Sequence, residues 1–235
     1  MAKIRPPNKF LASLNATDFK LLQPHLKLFE LQHEAILFET AAKVRTIYFP
    51  HSGIISLVVP LSGGQLIEAA MIGHDSIVGA SSAIDGRISL NKGIVQSPGA
   101  ASVMLVEPFR KAAEQSGTFR ATLVRHEQVL FAQAQQSAAC NASHKVEARM
   151  ARWLLRARDL SEEDTIPLTQ EFFAQMLGVQ RTSVSEIANS LQKLGLIKHS
   201  RARVQITSLK GLRKQACECY GIVKKHYDRL LKTPR

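Results

Sequence analysis

Residues Leu168–Ile206 read LTQEFFAQMLGVQRTSVSEIANSLQKLGLIKHSRARVQI, and this stretch decides the fold of the C-terminal part of the chain. Thr169 is a good N-cap, and Glu171 stands in the first turn, where the helix dipole favours negative charge. Phe173, Ala174, Met176 and Leu177 give that helix a packing face. Gly178 suits a tight left-handed turn. A second helix begins near Gln180, with Val184, Ile187, Ala188, Leu191 and Leu194 as its apolar stripe and Thr182, Ser185, Glu186 and Asn189 opposite. A small Ala174 where two helices cross, a turn glycine and a filling Val184 are what a helix-turn-helix requires. Leu196-Ile197 and Val204–Ile206 then read as two short strands around His199–Arg203.

The exposed face of the second helix is short and polar. Arg181 is able to donate two bonds to a guanine, and Glu186 to accept from a cytosine amino group. The hairpin carries Arg201 and Arg203 at its tip, where a wing would meet the phosphate backbone. Charge agrees with this. Residues 1–140 hold 13 Lys and Arg against 10 Asp and Glu, whereas residues 141–235 hold 18 against 9. A compact basic half points toward phosphates.

Upstream, another helix places Val146, Met150, Trp153, Leu154, Ala157 and Leu160 on one face, with Lys145, Arg149, Arg152, Arg156 and Arg158 off it. Cys140–Ser143 reads as a hinge. Before it, a long helix from about Thr118 to Ala139 repeats Phe119, Leu123, His126, Leu130, Ala134 and Ser137 at steps of three and four. That narrow seam has coiled-coil spacing and is expected to pair two copies; packing on the chain's own β domain is the alternative. A short helix precedes it from Glu107-Pro108.

From Phe29 to Val106 short β-rich runs alternate with turns: 36–38, 46–49, 54–59, 66–71, 93–96 and 101–106. Gly53, Gly63-Gly64, Gly73, Gly79 and Pro98-Gly99 punctuate them, as in a small barrel or sandwich. Residues 1–29 read as a lead-in with one small helix capped by Asn15 or Thr17. The expected fold class is α+β: an N-terminal jelly-roll-like β-roll over 1–117, a dimerisation helix over 118–140 and a winged helix-turn-helix domain over 141–235.

The segment from Leu168 to Gly195-Leu196-Ile197 resembles the winged helix-turn-helix of the Crp/Fnr transcription regulators. The strand region resembles their cyclic-nucleotide-binding-like β-roll, with Gly53, Gly64, Gly73 and Gly79 at the expected turns, and the long helix resembles their dimerisation helix. The resemblance implies a homodimer on a palindromic site in double-stranded DNA, with RNA polymerase as a further candidate partner. It places Arg181, Thr182, Ser185 and Glu186 where family members read bases, and Thr169 and Ser183 where they touch phosphates. The most familiar form of the family has Arg at the position of Glu186 and Glu at that of Thr182, so a different operator is implied.

The ligand positions depart further. Cyclic-AMP binders carry a Gly-Glu pair where this chain has Gly79-Ala80, and an Arg-Ser pair near Leu90–Lys92. Arg87 or Lys92 remains to hold an anion, and cyclic AMP is not expected to bind. An unknown small-molecule effector is open. The family's iron–sulfur branch uses four thiolates, and this chain has three cysteines, Cys140, Cys217 and Cys219. Cys217-Glu218-Cys219 lacks a second cysteine pair to complete a zinc set. Hence no metal and no cofactor are expected, although one axial histidine would suffice for haem.

The longest apolar run, Gly53–Leu61, has nine residues and includes Ser56 and Pro60; a membrane span needs about 20. No secretory signal is read, three cysteines cannot all pair, and a cytoplasmic protein without a membrane partner is expected. P-loop, nucleophile-elbow and HExxH patterns are absent, so no enzyme activity is expected. Two rivals remain: a sequence-tolerant architectural DNA-binding protein, and a ligand-binding signalling module that contacts protein.

Overall fold

The structure, a computed structural model, describes residues 7–85 and 88–231. Helices α1 (Lys9–Ser13) and α2 (Ala16–Leu22) open the chain. Each is capped by an asparagine: Asn8 accepts from the Leu11 amide at 2.9 Å, and Asn15 from the Asp18 amide at 2.8 Å. Asn15, rather than Thr17, is the cap.

The β-roll follows with β1 (Lys27–Leu31), β2 (Ile36–Phe38), β3 (Thr46–Pro50), β4 (Ile54–Pro60), β5 (Leu66–Ile72), α3 (Ala80–Asp85), β6 (Lys92–Ser97) and β7 (Gly99–Leu105). Two antiparallel sheets form, ordered β1-β7-β3 and β2-β6-β4-β5. Leu31, Tyr48, Ile55, Leu57, Ile72 and Val95 fill the space between them, because each sheet has one apolar face to bury. Gly53 sits at φ 78°, and a Cβ there would meet the Ser97 carbonyl oxygen at 2.6 Å. The close approach of the β6–β7 turn to the start of β4 therefore requires glycine.

Strand β1 departs from the expected lead-in. Four of its five residues are exposed, so it shows no apolar alternation, and it is held by its pairing with β7.

Helices α4 (Val106–Gln115), α5 (Gly117–Ser143) and α6 (Val146–Ser161) come next. Ser116 caps α5 by accepting from the Phe119 amide at 3.1 Å. The expected hinge at 140–143 is instead the last turn of α5, and the break falls at His144 and Lys145. Cys140–Ser143 holds neither Gly nor Pro, so nothing there interrupts the helix.

The seam expected to pair two copies turns inward. Phe119, Leu123 and His126 are fully buried in the chain's own core with Phe10, Ile47, Phe49 and Phe109. His126 Nε2 lies 2.6 Å from Ser76 Oγ, and its ring meets Phe10 edge-on at 5.4 Å. Ser137 is buried too, while Leu130 and Ala134 are half-buried. Phe119, Leu123, His126 and Ser137 are thus covered within the chain itself, while Leu130 and Ala134 keep part of their surface. The opposite row faces solvent: Val124 is 56% and Phe131 65% exposed, with Ala138 seven residues further on.

The remaining elements are β8 (Thr165–Pro167), α7 (Gln170–Leu177), α8 (Arg181–Lys193), β9 (Ile197–His199), β10 (Arg203–Ile206), α9 (Leu209–Gln215) and α10 (Cys219–Leu230). One core runs from Ile54, Val58 and Met71 in the roll through Trp153 and Leu154 to Phe173, Val184 and Leu191. Helix α7 of the helix-turn-helix is thus packed against β5, and α6 against β4 and β5.

Candidate nucleic-acid interface

Thr169 caps α7 by accepting from the Phe172 amide at 3.1 Å. Gly178 ends the helix at φ 63°, left-handed backbone that glycine adopts without strain. A Cβ on it would also lie 3.0 Å from Ile67 Cδ1 of β5. Gln180 then starts α8. Val184, Ala188 and Leu191 are buried against α7, where Ala174 allows the close crossing. Leu194 falls outside the stripe the sequence assigned it to: it is the C-cap of α8 and 58% exposed.

The opposite face of α8 presents Arg181, Thr182, Glu186 and Asn189 to solvent, with Ser183 and Ser185 half-buried beside them. The Ser185 hydroxyl donates to Gln170 Oε1 at 2.8 Å, so Gln170 of α7 holds it in place. Strands β8, β10 and β9 form the wing sheet, and Arg201 and Arg203 stand exposed at its turn. His199 Nε2 of the wing lies 3.1 Å from Asn189 Oδ1 of α8. This contact ties wing to helix and was not signalled by the sequence, since it joins two polar residues of different elements.

Two arginines expected off the packing face of α6 are buried. Arg149 donates through Nη2 to the Leu177 carbonyl at the end of α7. Arg156 grips Asp75 of the roll at 2.7 and 3.2 Å. Neither is free for phosphate. Among the described residues, the exposed cations of the interface itself are Arg181 and Lys193 on α8 and Lys198, Arg201 and Arg203 on the wing.

An open cleft of about 750 Å³ separates the start of α8 from the β4–β5 turn, with Gly63, Gly64 and Gln65 on one side and Gln180 and Arg181 on the other. A second cavity, of about 380 Å³, lies in the roll beneath α5. Gly79 and Ala80 line it, together with Phe38, Val78, Ser89 and Phe131. No described lining residue is cationic. Lys92 is engaged instead with Glu39 at 3.0 Å, and Arg87 lies outside the described residues. A cyclic phosphate would find no paired charge among these side chains.

The chain thus combines a β-roll, a long helix and a winged helix-turn-helix with a polar outward face. Residues 148–215 match the family model of the Crp-like helix-turn-helix domain. No curated protein matches the chain in sequence. Among solved structures, a CRP-family transcriptional regulator of Thermus thermophilus superposes with a TM-score of 0.66 at 19% identity, over 80% of this chain and 96% of that one. FixK2 of Bradyrhizobium japonicum does so with a TM-score of 0.69 at 14% identity, over 82% and 98%. The c-di-GMP responsive global regulator CLP of Xanthomonas campestris gives 0.65 at 14%, over 83% and 100%. At these identities the likeness to the solved structures is one of fold. Residues 148–215 are therefore a Crp-like helix-turn-helix domain, and the chain around them has the Crp/Fnr architecture.

Proposed function

We propose that this chain is a sequence-specific transcriptional regulator that binds a palindromic DNA operator as a homodimer. The observation that carries the reading is the division of α8: Val184, Ala188 and Leu191 are buried, while Arg181, Thr182, Glu186 and Asn189 stand outward in front of the wing. Groups that both donate and accept on one exposed helix face are what a major groove distinguishes. Arg181, Thr182, Ser185 and Glu186 read bases in this account, while Thr169, Ser183, Arg201 and Arg203 hold phosphates. Residues 1–117 serve as the sensing part, 118–140 as the pairing helix and 141–235 as the DNA head.

The pairing surface is the exposed row of α5 rather than the buried one. Val124, Phe131 and Ala138 recur at seven residues, a coiled-coil seam. Phe131 also borders the cavity in the roll. An effector there would touch the pairing surface directly and bias how the two heads are spaced. The lining favours a small, largely uncharged molecule over a cyclic nucleotide. Entry into successive major grooves requires recognition helices about 34 Å apart.

Selection of bound duplexes from a random DNA pool at moderate salt tests the reading. Enrichment of a palindrome with half-sites about one helical turn apart supports it. Salt-sensitive binding with a flat pool would instead favour an architectural DNA-binding protein, and no binding at low salt would favour a protein-contacting module.

A further inference from the structure

The sequence offers two incomplete sets of metal ligands, Cys140 with His144 and Cys217 with Cys219, and the fold joins them. Cys140 lies in the last turn of α5, and His144 is that helix's C-cap, so the two share one edge. Cys217 lies in the link after α9, and Cys219 opens α10. Cys140 Sγ is 3.5 Å from Cys217 Sγ, and Cys219 Sγ is 3.6 Å from His144 Nδ1. All four ligand atoms fall within 4.8 Å of one another. A tetrahedral zinc with the usual bond lengths places thiolates about 3.8 Å apart, and a thiolate about 3.5 Å from an imidazole nitrogen.

We propose that Cys140, His144, Cys217 and Cys219 form a structural zinc site that fastens α10 to the end of α5. Three further observations support it. The three sulfurs are buried while the histidine is partly accessible, as in a closed structural site with one lip at the surface. Glu218 Oε1 lies 3.2 Å from His144 Nε2, the nitrogen a zinc would leave free. A carboxylate on the outer nitrogen is the usual way a metal-bound histidine is oriented. The Gln136 side-chain amide donates to Cys219 Sγ at 3.0 Å, a bond that a thiolate accepts well. The donor set of three sulfurs and one imidazole, with no oxygen, selects zinc over magnesium, calcium or manganese. Binding one Zn²⁺ replaces the three thiol protons, which go to solvent, and His144 ligates as the neutral imidazole.

The site reverses the expectation that Cys217-Glu218-Cys219 lacks partners. It would hold together segments that α10 already brings close, since Tyr227 donates to Gln133 of α5 at 2.7 Å. A disulfide between Cys140 and Cys217 is the competing chemistry, but it leaves Cys219, His144 and Glu218 without a shared role.

Metal analysis of the full-length, tag-free chain purified without chelator tests the site. About one zinc per chain is expected. Cobalt(II) added to the reduced, metal-stripped protein should give the thiolate charge-transfer band and intense visible absorption of a tetrahedral sulfur-rich site. Cys219→Ser should abolish that spectrum. Glu218→Gln, a change at an exposed side chain, should lower zinc affinity about 10–100-fold while keeping the wild-type far-ultraviolet spectrum. Protein that carries no zinc and gives no tetrahedral cobalt spectrum, or that is isolated with Cys140 and Cys217 disulfide-bonded, would overturn the proposal. None of these readouts requires DNA binding.

Discussion

The indole N–H of Trp153, on helix α6, donates at 2.9 Å to Glu68 Oε1 on strand β5 of the roll. The other carboxylate oxygen accepts from the Ser56 hydroxyl at 2.6 Å. One carboxyl group therefore joins the β-roll to α6. Burial pushes its pKa up, against the lowering effects of Ser56, Arg152, Trp153 and Arg156.

A folded-state pKa above the unfolded value of 4.5 means that the folded chain holds this proton more tightly. That contribution is complete below pH 4.5 and is lost as pH rises through the folded pKa. Glu68→Gln keeps the acceptor for Trp153 and cannot ionise. Urea unfolding across this range should show wild-type stability falling more steeply with rising pH than that of the variant. Equal slopes would count against a carboxyl group raised by burial.

Arg156 and Asp75 form the second link between head and roll, buried and two-pronged, with the guanidinium 4.6 Å above the Tyr227 ring. Asp75→Ala should cost about 3–5 kcal/mol, because it leaves a buried charge without its partner. Adding Arg156→Met should recover part of that loss. A double-mutant cycle by urea denaturation reads the coupling, and simple additivity would show that the pair is not a unit.

The two faces of α5 predict different failures. Phe119→Ala should destabilise each protomer by about 3–5 kcal/mol, since a buried phenylalanine leaves a cavity. Phe131→Glu should leave the protomer folded and shift the dimer toward monomer. Thermal unfolding and sedimentation at several concentrations separate the two effects. Dimers unchanged by Phe131→Glu would place the pairing surface elsewhere.

Much of this architecture was legible in the sequence because its signals are local. Asn15 caps α2, Thr169 caps α7, and Gly178 turns between α7 and α8, all within a few residues of what they control. Periodicity located an apolar row on α5 but not what covers it; the row with Phe119 and Leu123 met the roll, and the weaker row with Val124 and Phe131 was left outside. Arg156 read as a surface cation because Asp75 lies 81 residues away. The cysteine cluster was equally hidden, since Cys140 and Cys217 are separated by 77 residues. Strand β1 gave no signal because its pairing, rather than its side chains, makes it a strand.

On DNA, Arg181→Ala should cost about 1–3 kcal/mol on the selected operator and relax preference at one base pair. Replacing both Arg201 and Arg203 by alanine should weaken all sequences alike and reduce the slope of log K against log salt by about 2. Fluorescence-anisotropy titrations over a salt series distinguish these outcomes. A uniform loss for Arg181→Ala would make it a phosphate contact.

One pair of titrations at a single salt concentration decides whether the dimer reads sequence: wild-type protein against the selected palindrome, and against a scrambled duplex of the same length and composition. Affinities separated by about 10³-fold or more are expected, with two protomers bound per palindrome. Equal affinities for the two duplexes would contradict a dimer that reads sequence.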